Sequence, residues 1–210
     1  MTTDFARPSP QLVAAYREVA PATLGHMHDV RIMDSGIEPL FADVSLVGPA
    51  FTVRMRGMDR SALQAIEERA RPGDVVVVDC GGDHEHAIIG EFRALKQIRL
   101  GIAGWIVDGA ATDVREIAKM RFPTFSRSVS ALVAKNIGRE GVVGVPVSCG
   151  GVVVNPGDLI LADDNGVAVL SREEAEEHLD HGLAVAARER RMREEYAEEY
   201  RKLLPPEGSG

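Results

Sequence analysis

The strongest constraint on the fold comes from two short apolar runs, each followed by a glycine-containing turn and then by a helix-forming stretch. In "GDVVVVDCGG", Val75–Val78 predicts a fully buried strand, and the following "HAIIGEFRALKQIRLG" predicts a helix that ends at Gly101. The second run, "GWIVDG", predicts another buried strand, followed by the helix "DVREIAKMR". Short apolar strands that alternate with helices indicate an α/β fold with parallel strands in the middle third of the chain.

The first third of the chain has a mixed pattern. We expect a helix near "QLVAAYREVA" and strands at Val44–Leu46 and Phe51–Arg54, where apolar and polar residues alternate. Ser61 and Gln64 have the spacing of a capping box, which predicts the start of a helix in "SALQAIEERA".

The last third is almost entirely β-forming until a final long helix. In Asn155–Asp158 ("NPGD"), proline and glycine occupy the positions that a type II turn favours, and Asn165–Gly166 predicts a tight hairpin. Ser171 and Glu174 have the spacing of a capping box at the start of a charged helix that runs to about Leu203.

This final helix is polar over most of its surface and carries a narrow apolar stripe. The stripe consists of Leu179, Leu183, Ala186, Met192, Tyr196 and Tyr200. We therefore expect a core domain at residues 1–170 and a helix at residues 171–204 that packs on the body or on a neighbouring subunit. Residues 205–210 are expected to form a flexible tail.

Composition narrows the classes of function. The chain has 210 residues, of which 45% are hydrophobic and 27% are charged, enough for one substantial core. A formal net charge of −8 gives no general attraction for nucleic acid or anionic lipid. The sequence shows no secretory signal and no apolar run that could cross a bilayer, and Cys80 and Cys149 form no CxxC pair. We expect a cytoplasmic protein that binds neither nucleic acid nor membrane.

The turn "DCGGDHEH" has several interpretations. Exposed backbone N–H groups at the start of a helix bind carboxylate or phosphate, but the glycines also suit an ordinary tight turn. His84 and His86 stand two residues apart like metal ligands, although no third histidine or cysteine is placed to join them, which favours solvated loop residues. The stretch also resembles the phosphohistidine segment of phosphoenolpyruvate-utilising enzymes, with His84 in place of the usual threonine.

The second turn, "DGAATDVREI", has two interpretations. Asp113 and Glu116 have the spacing of a capping box, and aspartate is a favoured N-cap residue. Asp113 also follows a predicted parallel strand, at the sheet edge where open α/β folds bind ligands. Since Mg²⁺ typically takes one or two protein carboxylates and keeps several waters, Asp113 is equally a candidate metal ligand.

Several segments in one order resemble the RraA-like family, which includes the class II 4-hydroxy-4-methyl-2-oxoglutarate/4-carboxy-4-hydroxy-2-oxoadipate aldolases and the ribonuclease E regulators. The segments are "VGPAFTV", "RPGDVVVVDCGG", "AIIGE", "GIAGWIVDGAATDVREI", "FPTFSR" and "VPVSCGGVVVNPGDLILADDNGVAVL". The resemblance runs from about Ala20 to Arg190. It implies a three-layer β-β-α sandwich of the swivelling-domain type, assembled as a homotrimer or homohexamer with sites between subunits.

The resemblance to the aldolases also implies site residues. Asp113 matches the aspartate that binds the divalent metal, Mg²⁺ or Mn²⁺, and Glu116 matches an acidic residue three positions later. Glu189, on a neighbouring subunit's helix, is expected to contribute to the water shell of the metal. Backbone amides of one loop are expected to bind the carboxylate of the substrate, and that loop consists of Gly90, Glu91, Phe92 and Arg93.

One position departs from the aldolase pattern, because the arginine before the metal-binding aspartate is Thr112 here. Cleavage beside a 2-keto group leaves an enolate, which a metal ion and a guanidinium both stabilise. Loss of one such donor typically costs about 10²–10³-fold in rate. Arg93 and Arg115 are the candidates to replace the missing cation in space.

These implications leave more than one class of function. The first is a metal-dependent lyase that acts on a small 2-keto acid by retro-aldol cleavage or oxaloacetate decarboxylation, with Thr112, Asp113 and Glu116 at its catalytic site. The second is a non-catalytic regulator of the ribonuclease E inhibitor type, which the loss of the arginine favours. The third is an enzyme of the same fold with an altered substrate, which Thr112 contacts through its hydroxyl group.

The final helix generates a prediction about assembly. A charged helix with a narrow apolar stripe needs a surface to cover that stripe, and closed symmetric assembly supplies one. We expect a trimer or a hexamer when light scattering is measured behind a sizing column. A monomer at micromolar concentration would contradict this expectation and would remove the inter-subunit role of Glu189.

Overall fold

The computed structural model describes residues 5–27, 30–138 and 141–203. Its helices are α1 (Pro10–Tyr16), α2 (Pro21–Leu24), α3 (Ala65–Arg69), α4 (Glu91–Arg99), α5 (Val114–Lys119) and α6 (Arg172–Leu203), and a 3-10 helix, Ser61–Gln64, precedes α3. Its strands are β1 (Arg31–Ile32), β2 (Glu38–Pro39), β3 (Ser45–Arg54), β4 (Val75–Asp79), β5 (Ala87–Ile89), β6 (Gly104–Ala111), β7 (Thr124–Val129), β8 (Val142–Val143), β9 (Val147–Cys149), β10 (Val152–Val154), β11 (Leu159–Asp163) and β12 (Gly166–Leu170).

The long strand β3 joins the two halves of a ten-stranded sheet. Its first half, residues 45–49, pairs antiparallel with β11, and its second half, residues 50–54, pairs parallel with β4. The main strand order is β1-β12-β11-β3-β4-β6-β7-β2, with β5 beside β6 and β8 beside β3. A chain of parallel pairs, β3-β4-β6-β7, therefore continues from an antiparallel half-sheet.

Three hydrophobic clusters fill the spaces between the layers. In β4, Val76 and Val78 face a cluster shared with α5 and the 3-10 helix, whereas Val75 and Val77 face a cluster between the two half-sheets. Both faces of this strand are buried, which explains its unbroken run of valines. The third cluster lies between the antiparallel half-sheet, α1, α2 and the start of α6.

The predicted mixed α/β fold with a long C-terminal helix is confirmed, and α1 and α2 add a helical cover on the antiparallel half. The predicted buried strands are also confirmed as β4 and β6. Cys80 and Cys149 are buried and do not form a disulfide bond. Within the described residues, none of the helices combines the length and the apolarity needed to span a bilayer.

Several boundaries differ from the sequence prediction. Ala87–Ile89 forms strand β5 instead of the first turn of a helix, because it pairs with the end of β6. The two strands predicted at Val44–Leu46 and Phe51–Arg54 are one strand, and the β11–β12 hairpin turns one residue earlier than predicted, because Asp163 pairs with Gly166. The capping box at Ser61 and Gln64 was wrong, since a neighbouring carboxylate, that of Asp59, accepts the Ser61 N–H instead.

The capping box at the start of α6 is confirmed. The Ser171 hydroxyl accepts the Glu174 N–H at 3.1 Å, and the Glu174 carboxylate accepts the Ser171 N–H in return. Leu179 and Leu183 pack against the body, whereas Met192 and Tyr196 are 43% and 46% exposed. These two residues of the stripe therefore lie partly uncovered in a single chain. The side chain of Tyr200 and the predicted tail, residues 205–210, lie outside the described part of the structure.

The junction within β3 generates a stability prediction. A Cβ atom at Gly48 would overlap the carbonyl oxygen of Gly73, which is backbone and cannot rotate away. We expect Gly48→Ala to lower the free energy of unfolding by about 1–3 kcal/mol, measured by urea denaturation. The matched control is Gly25→Ala, where the nearest atom lies 3.4 Å from the added Cβ and the backbone is helical. Equal stability of the Gly48→Ala and wild-type proteins would contradict the close approach.

Candidate functional site

The two turns singled out in the sequence lie side by side. Strand β5 pairs parallel with the end of β6, and the Thr112 N–H donates to the Ile89 carbonyl at 2.9 Å. Helices α4 and α5 begin directly after these two strands, so their N-termini meet at the carboxyl edge of the parallel half-sheet. This is the edge at which open α/β sheets bind ligands.

Gly90 lets the two turns approach each other. A Cβ atom at this position would overlap Oδ2 of Asp113 and would lie 2.8 Å from Cγ2 of Thr112. Because Gly90 has no Cβ atom, Oδ2 of Asp113 can approach and accept the Glu91 N–H at 3.0 Å. The Asp113 carboxylate therefore caps α4, the helix on the neighbouring turn, where it also meets the positive end of the helix dipole.

The predicted capping box of Asp113 and Glu116 was wrong, because the Asp113 side chain does not cap its own helix. Asp113 is the N-cap residue of α5 by position, but its backbone is left-handed, with φ 54°, and its side chain makes no bond to its own helix. The bonds from the Glu116 and Ile117 N–H groups go to the Asp113 carbonyl, each at 3.0 Å. Glu116 lies 3.7 Å from Lys119 on the same helix. The Asp113 carboxylate thus remains at the edge of the sheet.

A cavity of about 460 Å³ opens between these turns. Of the residues predicted from the sequence, it brings together Gly90, Phe92, Arg93, Thr112 and Asp113. The other lining residues are Arg60, Ala87, Ile88, Ile89, Ala131 and Val133. The walls are thus mainly apolar, and the charged groups that the described residues place on them are two guanidiniums and one carboxylate. Such a combination is typical of a site for a small anionic molecule.

Both arginines of the cavity have a buried nitrogen atom without a hydrogen-bond partner among the described residues. These atoms are Nε of Arg60 and Nη1 of Arg93. Burial first, and then the positive charge of Arg60, lower the pKa of Arg93 below its usual value, while Glu67 opposes them. The two cations are therefore close enough to repel each other, and no carboxylate of the described chain bonds to the buried nitrogens.

Sequence reasoning identified Arg93 as a possible replacement for the missing arginine, and the structure places it in the cavity. Arg115, the other candidate, is exposed on α5 and is not among the lining residues. Arg60 was missed, because it lies 33 positions before Arg93 in a segment with no motif. Its N–H bonds to the Lys135 carbonyl at 3.0 Å, which ties the 3-10 helix to the segment that carries Ala131 and Val133.

Glu189 does not join this cavity within one chain. It lies on α6, 3.3 Å from Arg193, and lines a different pocket with Arg17 and Glu18. Its predicted contribution from a neighbouring subunit stays a prediction.

The histidines of the first turn are engaged with carboxylates. The Nδ1 atom of His86 lies 2.8 Å from Asp83, and the Nε2 atom of His84 lies 3.7 Å from Asp108. Asp108 also pairs with Arg127, which in turn bonds to Asp34 at 2.8 Å. Hydrogen bonds to both carboxylates raise the pKa of Arg127. Among the described residues, no group of three or more His, Cys, Asp or Glu side chains is arranged to hold a metal ion.

Comparisons with known proteins identify the family of the chain. The family model described as "RraA-like: Aldolase/RraA" matches residues 15–169. A protein of Halalkalibacterium halodurans named "Putative 4-hydroxy-4-methyl-2-oxoglutarate aldolase" is 42% identical over 144 residues, which cover 69% of this chain and 68% of that protein. The family match favours this relationship over the phosphohistidine interpretation of the first turn.

Solved structures with a similar fold also include a member of the RraA protein family. RraAS2 of Streptomyces coelicolor, an unusual member of the RNase ES inhibitor RraA protein family, has a TM-score of 0.78 and 30% identity, covering 90% of this chain and 99% of that one. An uncharacterized protein of Pseudomonas syringae pv. tomato has a TM-score of 0.79 and 26% identity, with 92% of each chain covered. The sequence segments, the fold and these matches together show that the chain belongs to the RraA-like family.

Proposed function

We propose that the chain is a divalent-metal-dependent lyase that cleaves a carbon–carbon bond of a small 2-keto acid. The reaction is retro-aldol cleavage of the 4-hydroxy-4-methyl-2-oxoglutarate type, decarboxylation of oxaloacetate, or both. The relatives named as aldolases support the reaction class. The observation that carries the proposal is the cavity in which Asp113, Thr112, the N-terminus of α4 and two arginines meet.

The residues of the cavity fit a weakly held divalent metal. Among the described residues, the Glu91 N–H is the one donor to the Asp113 carboxylate, and it uses Oδ2. Oδ1 is therefore available as an oxygen ligand. Mg²⁺ is commonly bound through one or two carboxylates together with waters and substrate oxygens, so a cage of several protein ligands is not required. Asp113 would hold the metal, with Glu189 of a neighbouring subunit as the proposed partner through water.

The chemistry of the cavity follows from what these groups stabilise. Cleavage of the bond between C3 and C4 of the 2-keto acid moves its electron pair through C3 onto the ketone oxygen and gives an enolate, which is protonated at C3 to the product keto acid. The other fragment leaves as carbon dioxide from oxaloacetate, or as a second keto acid once the 4-hydroxyl group has given its proton to solvent. A bound divalent metal supplies Lewis acidity toward that oxygen. Apolar wall residues such as the buried Ile88 lower the polarity around the charged groups and strengthen their electrostatic contacts. The arginines hold positive charge where negative charge collects.

A second candidate function is regulation through a protein partner. It is supported by the likeness to RraAS2 over nearly the whole of both chains and by Thr112 in place of the aldolase arginine. Assays of pyruvate release from oxaloacetate and from hydroxy-keto-diacids, with and without Mg²⁺ or Mn²⁺, separate the two candidates. Turnover of none of these acids would exclude the proposed lyase and favour the regulator or an enzyme with a different substrate.

Asp113 gives the direct test of the proposed lyase. We expect Asp113→Asn to lower metal-dependent oxaloacetate decarboxylation at least about 100-fold, because Lewis-acid stabilisation contributes several kcal/mol. The amide oxygen of the new side chain still accepts the Glu91 N–H, so the fold should persist. Asp113→Ala also loses this cap of α4 and should be less stable by about 0.5–2 kcal/mol.

The matched control is Asp164→Asn, an exposed aspartate in the β11–β12 turn. It should leave both the rate and the melting temperature unchanged. Full activity of a folded Asp113→Asn protein would show that Asp113 only caps α4.

A further inference from the structure

The cavity contains more positive charge than its own carboxylate neutralises. Arg60 and Arg93 both line it, while Asp113 is the one acidic residue among the described residues of its wall and already bonds to the Glu91 N–H. Nε of Arg60 and Nη1 of Arg93 are buried without a partner in the described part of the chain. A buried donor without an acceptor lowers the stability of the folded protein.

Two other partly buried arginines in the described part of the chain have carboxylate partners. Arg7 bonds to the buried Asp74 through two nitrogens, at 2.7 and 2.8 Å. Arg31 lies 2.8 Å from Asp158 and 3.0 Å from Glu174. In these places the chain supplies carboxylates for its partly buried guanidiniums. The missing acceptors at Arg60 and Arg93 leave these two positions open to an anion from outside the chain.

We propose that Arg60 and Arg93 form a paired-guanidinium subsite that binds a carboxylate of the substrate and supplies the positive charge that Thr112 lacks. The inference rests on the proposed function and adds a specificity determinant to it. It also differs from what the family resemblance implies, because the Glu91 amide of the carboxylate-binding loop is already bonded to Asp113. The guanidiniums of Arg60 and Arg93 then bind the substrate carboxylate in place of this loop amide.

The chemistry of the subsite favours a small dianion. A guanidinium presents a fork of N–H donors that matches the two oxygens of a carboxylate, and two forks in one apolar cavity suit a compact dicarboxylate. Oxalate is a suitable probe, since it is a planar dianion with the shape of a pyruvate enolate. Acetate, with one charge, should bind much more weakly.

The subsite is tested by titrating oxalate calorimetrically into the metal-free protein and into the Mg²⁺-loaded protein. Arg60→Met and Arg93→Met keep an unbranched apolar stem and remove the charge. Each should weaken oxalate binding roughly 10- to 100-fold, the usual effect of losing a hydrogen bond to a charged group. Arg99→Met is the matched control, because Arg99 is exposed on the same helix, α4, and lies outside the cavity. Its oxalate affinity should stay within about twofold of wild type.

Stability measurements distinguish a binding role from a structural one. Since the two cations repel each other and their buried nitrogens lack acceptors, removing one charge should leave the melting temperature of the free protein unchanged or raise it. The rise in melting temperature that oxalate causes in wild type should be smaller in both variants at the same oxalate concentration, by the amount that a 10- to 100-fold weaker affinity implies. Arg60→Lys and Arg93→Lys keep the charge but lose the paired N–H donors of the guanidinium, so they should bind oxalate with intermediate affinity. They replace the methionine variants in this test if a methionine variant fails to fold.

Thr112→Arg tests the claim of replacement. The double variant Thr112→Arg/Arg93→Met should bind oxalate at least about tenfold more tightly than Arg93→Met alone, because one hydrogen bond to a charged group contributes that much. A folded double variant without any recovery would overturn the claim that these arginines replace the family cation.

The outcomes separate this inference from the proposed function. Oxalate affinities of the Arg60 and Arg93 variants equal to that of Arg99→Met would overturn the subsite, even if wild type decarboxylates oxaloacetate. Conversely, if the variants lose oxalate binding but wild type turns over no keto acid with metal, the subsite stands and the lyase fails. If both proposals hold, KM for oxaloacetate rises in the two methionine variants and kcat/KM falls by the factor seen for oxalate.

Discussion

The change of partner along β3 is the constraint on which the remaining structure depends. Residues 45–49 pair antiparallel with β11 and residues 50–54 pair parallel with β4, so a single strand belongs to both half-sheets. Its glycine at position 48 allows the backbone at Gly73 to come close at this junction. The parallel half then continues through β4 to β6 and β5, and the helices that follow β5 and β6 begin at the same edge. The cavity exists because this topology brings two distant turns together.

Within the cavity, the lack of a side chain at Gly90 and the position of the Asp113 carboxylate determine how the two turns meet. Gly90 leaves room for Asp113 to reach the N-terminus of α4, and the left-handed backbone of Asp113 turns its carboxylate away from its own helix. One oxygen of this carboxylate is fixed by the Glu91 amide, and the other is available for a metal. Arg60 and Arg93 provide the opposite charge across the same space. This combination of a carboxylate with two guanidiniums that each keep a buried, unpartnered nitrogen supports the proposed site for a metal and a keto acid.

The sequence predicts the parts of this arrangement that depend on local signals. Val75–Val78 is recognisable as a strand because both of its faces are buried, and the cap at Ser171 and Glu174 requires only neighbouring residues. Ala87–Ile89 was predicted as helix because its strand character comes from pairing with β6. The Asp113–Glu91 bond spans 22 positions, and the position of Arg60 beside Arg93 depends on how the 3-10 helix meets the sheet. Such contacts leave no periodic or spacing signal in a single sequence.

The central claim is that Asp113, Arg60 and Arg93 act together as one metal-assisted, carboxylate-binding site. The most direct measurement is a crystal structure of the full chain with Mn²⁺ and oxalate, in which anomalous scattering locates the metal. The account predicts manganese bonded to Asp113, with oxalate in contact with the metal and with the guanidinium nitrogens of Arg60 and Arg93. Manganese and oxalate bound away from this cavity, with the two arginines still without partners, would contradict it.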